Sequence, residues 1–122
     1  MRPLLLRAAG LAFILACQNP VFGGDPVTVE LSGGRLDLKN SASAPAYYFL
    51  IDRDALAYVD WFPCSTPATC PSIPARGTVS VNEGDIPFRT KDPKEAQLYW
   101  WHLVPSGSGF APDSVRMISI PL

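Results

Sequence analysis

The sequence predicts an all-β fold, namely a small immunoglobulin-like β-sandwich of about seven strands that follows an N-terminal signal segment. Short apolar segments alternate with the period of two that is typical of strands, and turn residues separate them. Thirteen prolines and nine glycines among 122 residues favour turns and short strands. No long segment has helical periodicity, and the length allows one domain.

The first half of the predicted domain contains three strands. Residues 27–31 and Arg35–Asn40 alternate between apolar and polar side chains, and Ser32-Gly33-Gly34 between them is typical of a turn, which predicts a hairpin. Residues 46–52 are apolar on both faces, as in a central strand. The predicted sandwich therefore begins at Val27 and occupies residues 27–122.

The second half contains the remaining predicted strands. Residues 57–62 are predicted as a short strand, and residues 78–81 as a brief alternating one. Residues 83–95 contain one glycine and two prolines and are mostly loop by this criterion. The aromatic-rich residues 96–104 give the clearest strand pattern, and residues 114–120 close the domain.

The N-terminus has the pattern of an export signal. Arg2 and Arg7 precede the apolar residues 8–16, a segment too short to cross a bilayer as a helix. The residues Ile14-Leu15-Ala16-Cys17 resemble the lipobox of bacterial lipoproteins. This resemblance implies that residues 1–16 are removed and that Cys17 carries lipid and anchors the protein to a membrane of the bacterial cell envelope, in the periplasm or at the outer membrane. Residues 17–26 would then form a tether.

A second cleavage site is also compatible with the sequence. Val21-Phe22-Gly23 places small or tolerated residues where an ordinary signal peptidase cleaves, just after Pro20. Cleavage near Gly23 would discard Cys17 and release a secreted protein. Both alternatives imply export.

The cysteine count agrees with export. If Cys17 is lipidated or removed, Cys64 and Cys70 remain as a pair between prolines. In an oxidising compartment such a pair is most simply a disulfide that closes a surface loop. In redox-active motifs the two cysteines are normally separated by only two residues, so this spacing does not fit a redox site. A metal site would need further ligands.

The charge distribution and the lack of catalytic motifs in the sequence argue against several classes of function. Without Arg2 and Arg7 the chain has eight basic and eleven acidic side chains, and the bases are scattered, so we expect no nucleic-acid partner. His102 is the only histidine, and there is no G-x-S-x-G motif. The aspartates 52, 54 and 60 lack the spacing of a calcium loop and fit local ion pairs with Arg53. We therefore expect no enzyme activity, cofactor or metal site.

The aromatic side chains are the remaining candidates for a site. In the strand of residues 96–104, Trp100 and Trp101 must face opposite ways, so we expect one of them on an outer face. Tyr58, Trp61 and Trp101 are the candidate binding surface. The first hypothesis is a non-catalytic envelope lipoprotein that binds a protein partner or serves as an accessory domain. The alternative is a small carbohydrate-binding module that stacks sugars on exposed aromatic rings.

Overall fold

The computed structural model describes residues 19–122. The predicted signal segment and the predicted lipidation site at Cys17 lie outside the described residues. In chain order, the strands are β1 (Val21–Gly24), β2 (Val27–Ser32), β3 (Arg35–Asn40), β4 (Ala46–Asp52), β5 (Ser72–Ile73), β6 (Gly77–Asn82), β7 (Glu95–Ser106) and β8 (Gly109–Pro121). Two short 3₁₀ helices, Arg53–Tyr58 and Glu83–Asp85, follow β4 and β6.

The eight strands of residues 19–122 form two antiparallel sheets of four strands each. The first sheet has the order β1-β2-β3-β6, and the second has the order β5-β4-β7-β8. Every paired neighbour in the two sheets is antiparallel. The prediction of an all-β fold is therefore confirmed.

One apolar core lies between the inner faces of the two sheets. The alternation of β2 and β3 turns their apolar side chains inward and leaves Glu30 and Lys39 on the outer face, where they form an ion pair at 3.5 Å. The buried core residues include Val27, Val29, Leu36 and Leu38 from the first sheet and Leu50, Leu98, Trp100 and Ile120 from the second. Trp100 faces this core and Trp101 does not, so the prediction that they face opposite ways is confirmed.

The second sheet is apolar on both faces. Along β4, Ala46, Tyr48 and Leu50 point into the shared core, whereas Tyr47, Phe49 and Ile51 point away from it. Ile51 is nevertheless fully buried. The outer face must therefore be covered by another part of the chain, and residues 53–71 provide that cover.

The predicted strand at residues 57–62 is wrong, because these residues pair with no strand. The Asp52 side chain accepts a hydrogen bond from the Asp54 backbone N–H at 3.0 Å and so caps the 3₁₀ helix Arg53–Tyr58. After this helix the chain crosses the outer face of the second sheet instead of joining an edge. An apolar and aromatic segment packs equally well in either position, which is why its composition resembled a strand.

The structure also contains two strands that the sequence pattern did not predict. The two-residue β5 pairs with the start of β4 and is too short to show alternation. β1 lies in residues 17–26, which were expected to be a tether, and pairs with β2 from Val21–Glu30 to Gly24–Val27. Phe22 in β1 packs against the main core. The described part of the expected tether is thus a structural part of the domain.

We predict that a side chain at Gly23 destabilises the domain. Gly23 has a φ of +83°, and a Cβ atom added there would lie 2.6 Å from Ile118 Cδ1 and 3.0 Å from the Val27 carbonyl oxygen. The backbone strain alone costs about 1–2 kcal/mol, so Gly23→Ala should lower the free energy of unfolding by at least that amount in chemical denaturation. The matched control is Gly24→Ala, because a Cβ at Gly24 meets no atom within 4 Å. Equal stability of the two variants would show that β1 is not packed as described.

Candidate binding surface

The outer face of the second sheet carries a cluster of aromatic side chains. In the register of β4 with β7, Tyr47 lies opposite Trp101 and Phe49 lies opposite Tyr99. Strand alternation places all four on the face away from the main core, where they form a second apolar cluster.

Residues 53–71, which we call the strap, cross this face. Trp61 in the strap packs on this cluster. Its ring stacks on Phe49 with centroids 4.7 Å apart, and it lies 4.8 Å from the Tyr99 ring and 6.2 Å from the Trp101 ring. Aromatic pairs at these separations stabilise by about 0.5–1.5 kcal/mol each beyond the area they bury. Trp61 therefore fixes the middle of the strap on the sheet.

The disulfide loop fixes the end of the strap. Cys64 and Cys70 form the predicted disulfide, which is confirmed. The Trp101 side chain donates a hydrogen bond from Nε1 to the Cys64 carbonyl oxygen at 2.9 Å. Cys70 packs in the same apolar cluster. The disulfide loop thus covers Trp101, whose side chain is 1% exposed.

This arrangement changes the candidate binding surface. Trp101 lies on the outer face as one of the two tryptophans was expected to, but it is buried beneath the disulfide loop and presents no surface to a ligand. Trp61 is partly buried because its ring packs on the sheet. Tyr58, by contrast, is 90% exposed. A binding surface on the strap therefore includes Tyr58, with Trp61 and Trp101 as its support.

Phe62 is an exposed aromatic residue that the sequence analysis missed. Its side chain is 87% exposed, although it directly follows the partly buried Trp61. In an extended chain, neighbouring side chains point in opposite directions, so Asp60 and Phe62 point outward once Trp61 points toward the sheet. Asp60 is also exposed. The strap thus presents two aromatic side chains and a carboxylate to solvent from a segment held at both its middle and its end.

The aspartates near the strap lie in different environments. Asp52 is 1% exposed and accepts hydrogen bonds from the Thr90 N–H at 2.8 Å and the Thr90 hydroxyl at 2.6 Å. Asp54 and Asp60 are exposed. Arg53 forms an ion pair with Glu95 at 3.6 Å and not with these aspartates. Within residues 19–122 there is no group of three or more histidine, cysteine or acidic residues arranged to hold a metal ion.

His102 contacts a backbone carbonyl group and an aromatic ring. Its Nδ1 lies 3.0 Å from the Pro45 carbonyl oxygen, and its ring meets the Trp100 ring edge-on with centroids 5.5 Å apart. This contact holds the start of β4 against β7, just past the point where a bulge shifts the register of β7 with β8.

Two cavities open at the edges where the sheets meet. One, of about 230 Å³, is mostly apolar and is lined by Tyr48, Leu50, Val81, Asp85 and Pro87 among others. The other, of about 420 Å³, lies between β1 and β8, where the Arg116 guanidinium stacks 4.8 Å from the Trp100 ring centroid. Neither cavity combines a nucleophile with a base and an orienting acid.

Comparisons with known proteins return no relative of this chain: no protein-family model, no curated protein and no solved structure matches it. Over residues 19–122, no helix is long and apolar enough to cross a membrane.

We predict that Asp52 makes stability depend on pH in the acid range. Burial raises the pKa of this carboxyl, but hydrogen bonds from Thr90 and from the Asp54 N–H outweigh burial and hold the pKa below its ordinary value. The ionised form therefore stabilises the fold at neutral pH, and this contribution disappears as the pH falls from about 4 through the lowered pKa.

The test compares Asp52→Asn with the wild type in urea denaturation from pH 7 downward. At pH 7 the variant should lose about 1.5–3 kcal/mol of unfolding free energy, because hydrogen bonds to a charged group are lost. The difference should shrink below pH 4. Asp60→Asn changes an exposed carboxylate and should follow the wild-type curve. A gap that stays constant at every pH would contradict this role of Asp52.

Proposed function

We propose that the protein is an exported, lipid-anchored and non-catalytic component of the bacterial cell envelope that binds a protein partner through its strap. The observation that carries this proposal is the exposure of Tyr58 and Phe62, at 90% and 87%, on a segment whose position is fixed. Single exposed apolar residues are common on protein surfaces, but contiguous exposed apolar patches often mark an interaction site, and Tyr58 and Phe62 lie only four residues apart on the strap.

The fixed position of the strap favours tight protein recognition. Trp61 stacking, the disulfide and the Trp101 bond to Cys64 hold the backbone in place before any partner arrives. Binding therefore costs little ordering entropy beyond that of the exposed side chains. Aromatic residues of this kind often contribute most of the binding energy of an interface. The exposed Asp60 between them favours a partner with a basic group at the centre of its surface.

The position of β1 supports lipidation at Cys17 over release of a secreted protein. Cleavage near Gly23 would remove Val21 and Phe22 from β1, so that β2 would lose its neighbour and the core would lose Phe22. Cleavage before Cys17 keeps the whole strand. Of the two cleavage products considered, the one that retains Cys17 keeps all four residues of β1.

Carbohydrate binding is the second proposal from the sequence, and the geometry gives it less support. Stacking on a sugar needs an accessible ring face. Trp101 is buried, and the Trp61 ring already stacks on Phe49, so a sugar would depend on Tyr58 and Phe62.

The immunoglobulin-like assignment of the two-sheet fold is likewise a proposal.

The experiment uses a photo-reactive phenylalanine analogue at position 62 of the full-length protein in its native envelope. We expect one recurrent cross-linked protein, because Phe62 lies at the proposed interface. The matched control places the same analogue at Phe110, which is 47% exposed and lies on the hairpin of β7 and β8. The product should disappear when Tyr58→Ala is added, and it should decrease when Cys17→Ser removes the anchor.

The same experiment can overturn the proposal. Equal cross-linking from positions 62 and 110, or none from position 62, would show that the strap is not a protein interface. Quenching of tryptophan fluorescence by cell-wall polysaccharide, without any protein cross-link, would instead support carbohydrate binding.

A further inference from the structure

The described N-terminus leaves the domain at one identifiable end of the two sheets. The Pro20 carbonyl oxygen accepts a hydrogen bond from the Leu31 N–H at 3.0 Å, beside the turn between β2 and β3. The Gly34 carbonyl oxygen in that turn accepts from the Glu83 N–H at 2.9 Å, which places the 3₁₀ helix Glu83–Asp85 at the same end.

Residues 86–94, which we call the basal loop, lie at this end and are held at three points. Ile86 is buried in the core at the start of the loop. Thr90 donates two hydrogen bonds to Asp52, the last residue of β4. The Lys94 carbonyl oxygen accepts from the Leu122 N–H at 2.9 Å. The loop is therefore a defined part of the surface.

The exposed side chains of the basal loop combine an apolar residue with positive charge. Phe88 is 60% exposed. Its φ of +56° places its backbone in the left-handed conformation, which is uncommon for a residue other than glycine. Arg89, Lys91 and Lys94 are exposed, and Asp92 is the loop's one acidic residue. An exposed aromatic ring with basic neighbours is suited to the surface of an anionic membrane.

Acidic side chains also lie beside the loop. The neighbouring 3₁₀ helix contains Glu83 and Asp85, and the Asp85 carboxylate accepts a hydrogen bond from Asn82 Nδ2 at 3.4 Å, on the side of β6. Glu95, which follows the loop, pairs with Arg53.

The distance along the chain keeps this end close to the proposed lipid anchor. Cys17 is three residues from Pro20, and three residues reach at most about 11 Å even when fully extended. In the first sheet, β1 and β6 are separated by three strand spacings, which is about 14 Å, and the basal loop follows β6. The anchor and the loop can therefore touch the same membrane plane.

We infer that the basal loop is a second membrane contact: Phe88 enters the interfacial region of the bilayer, and Arg89 and Lys91 bind anionic lipid headgroups. This inference rests on the proposed lipid anchor at Cys17. A second contact fixes the orientation of the domain, with the end that carries the basal loop on the membrane. The hairpin of β7 and β8 extends beyond the Tyr47–Trp101 pair of β4 and β7 and forms the opposite end, away from the membrane.

The test uses the full-length lipidated protein in vesicles of phosphatidylcholine with phosphatidylglycerol. A bimane fluorophore is attached to Phe88→Cys or, as the matched control, to Phe110→Cys. Lipid with brominated acyl chains should quench the fluorophore at position 88 several-fold more than the one at position 110. Quenching at position 88 should decrease in vesicles of phosphatidylcholine alone and in the R89Q/K91Q variant, because the headgroup attraction is lost.

Two different failures are distinguishable by the mass of the protein. If the intact mass shows acyl chains and positions 88 and 110 are quenched alike, the inference about the basal loop is wrong while the anchor stands. If the mass shows no acyl chains and the protein does not float with vesicles, the proposed anchor is wrong and the inference fails with it.

Discussion

The structure depends on the need to cover the second sheet on both faces. The first sheet covers one face through the shared core, and the strap covers the other. The strap itself contains no strand, so its position depends on the stacking of Trp61, the Cys64–Cys70 disulfide and the Trp101 hydrogen bond to Cys64. At its last residue, the Pro71 carbonyl oxygen also accepts a hydrogen bond from the Tyr48 N–H in β4 at 3.2 Å. Because Trp61 points inward, Phe62 points outward, and the proposed interface is a direct consequence of how the sheet is covered.

The part of this arrangement that follows from periodicity could be predicted from the sequence. The strand pattern of residues 96–104 fixed the opposite directions of Trp100 and Trp101, and the proline-flanked cysteines indicated a closed loop. The strap could not be predicted, because apolar alternation is the same in a strand that pairs at an edge and in a chain that lies across a face. The exposure of Phe62 depends on that difference.

Asp52 connects the two surfaces to which we assign contacts. Its carboxylate caps the 3₁₀ helix at the start of the strap and also accepts both hydrogen bonds from Thr90 in the basal loop. A carboxylate with several donors can be buried at low cost because its charge is compensated. The sequence showed only a group of nearby aspartates, since the partner at Thr90 lies 38 positions away along the chain. Burial of this one carboxylate thus places both segments relative to the second sheet.

Coverage of the second sheet by the strap can be tested directly by hydroxyl-radical footprinting of the oxidised protein, read out for each aromatic side chain by mass spectrometry. If the strap covers the sheet, Tyr58 and Phe62 are labelled strongly and Trp101, which is 1% exposed, is protected. Reduction of the Cys64–Cys70 disulfide should increase labelling of Trp101, because the loop above it is released. Labelling of Trp101 in the oxidised protein as strong as that of Phe62 would show that the strap does not cover the sheet.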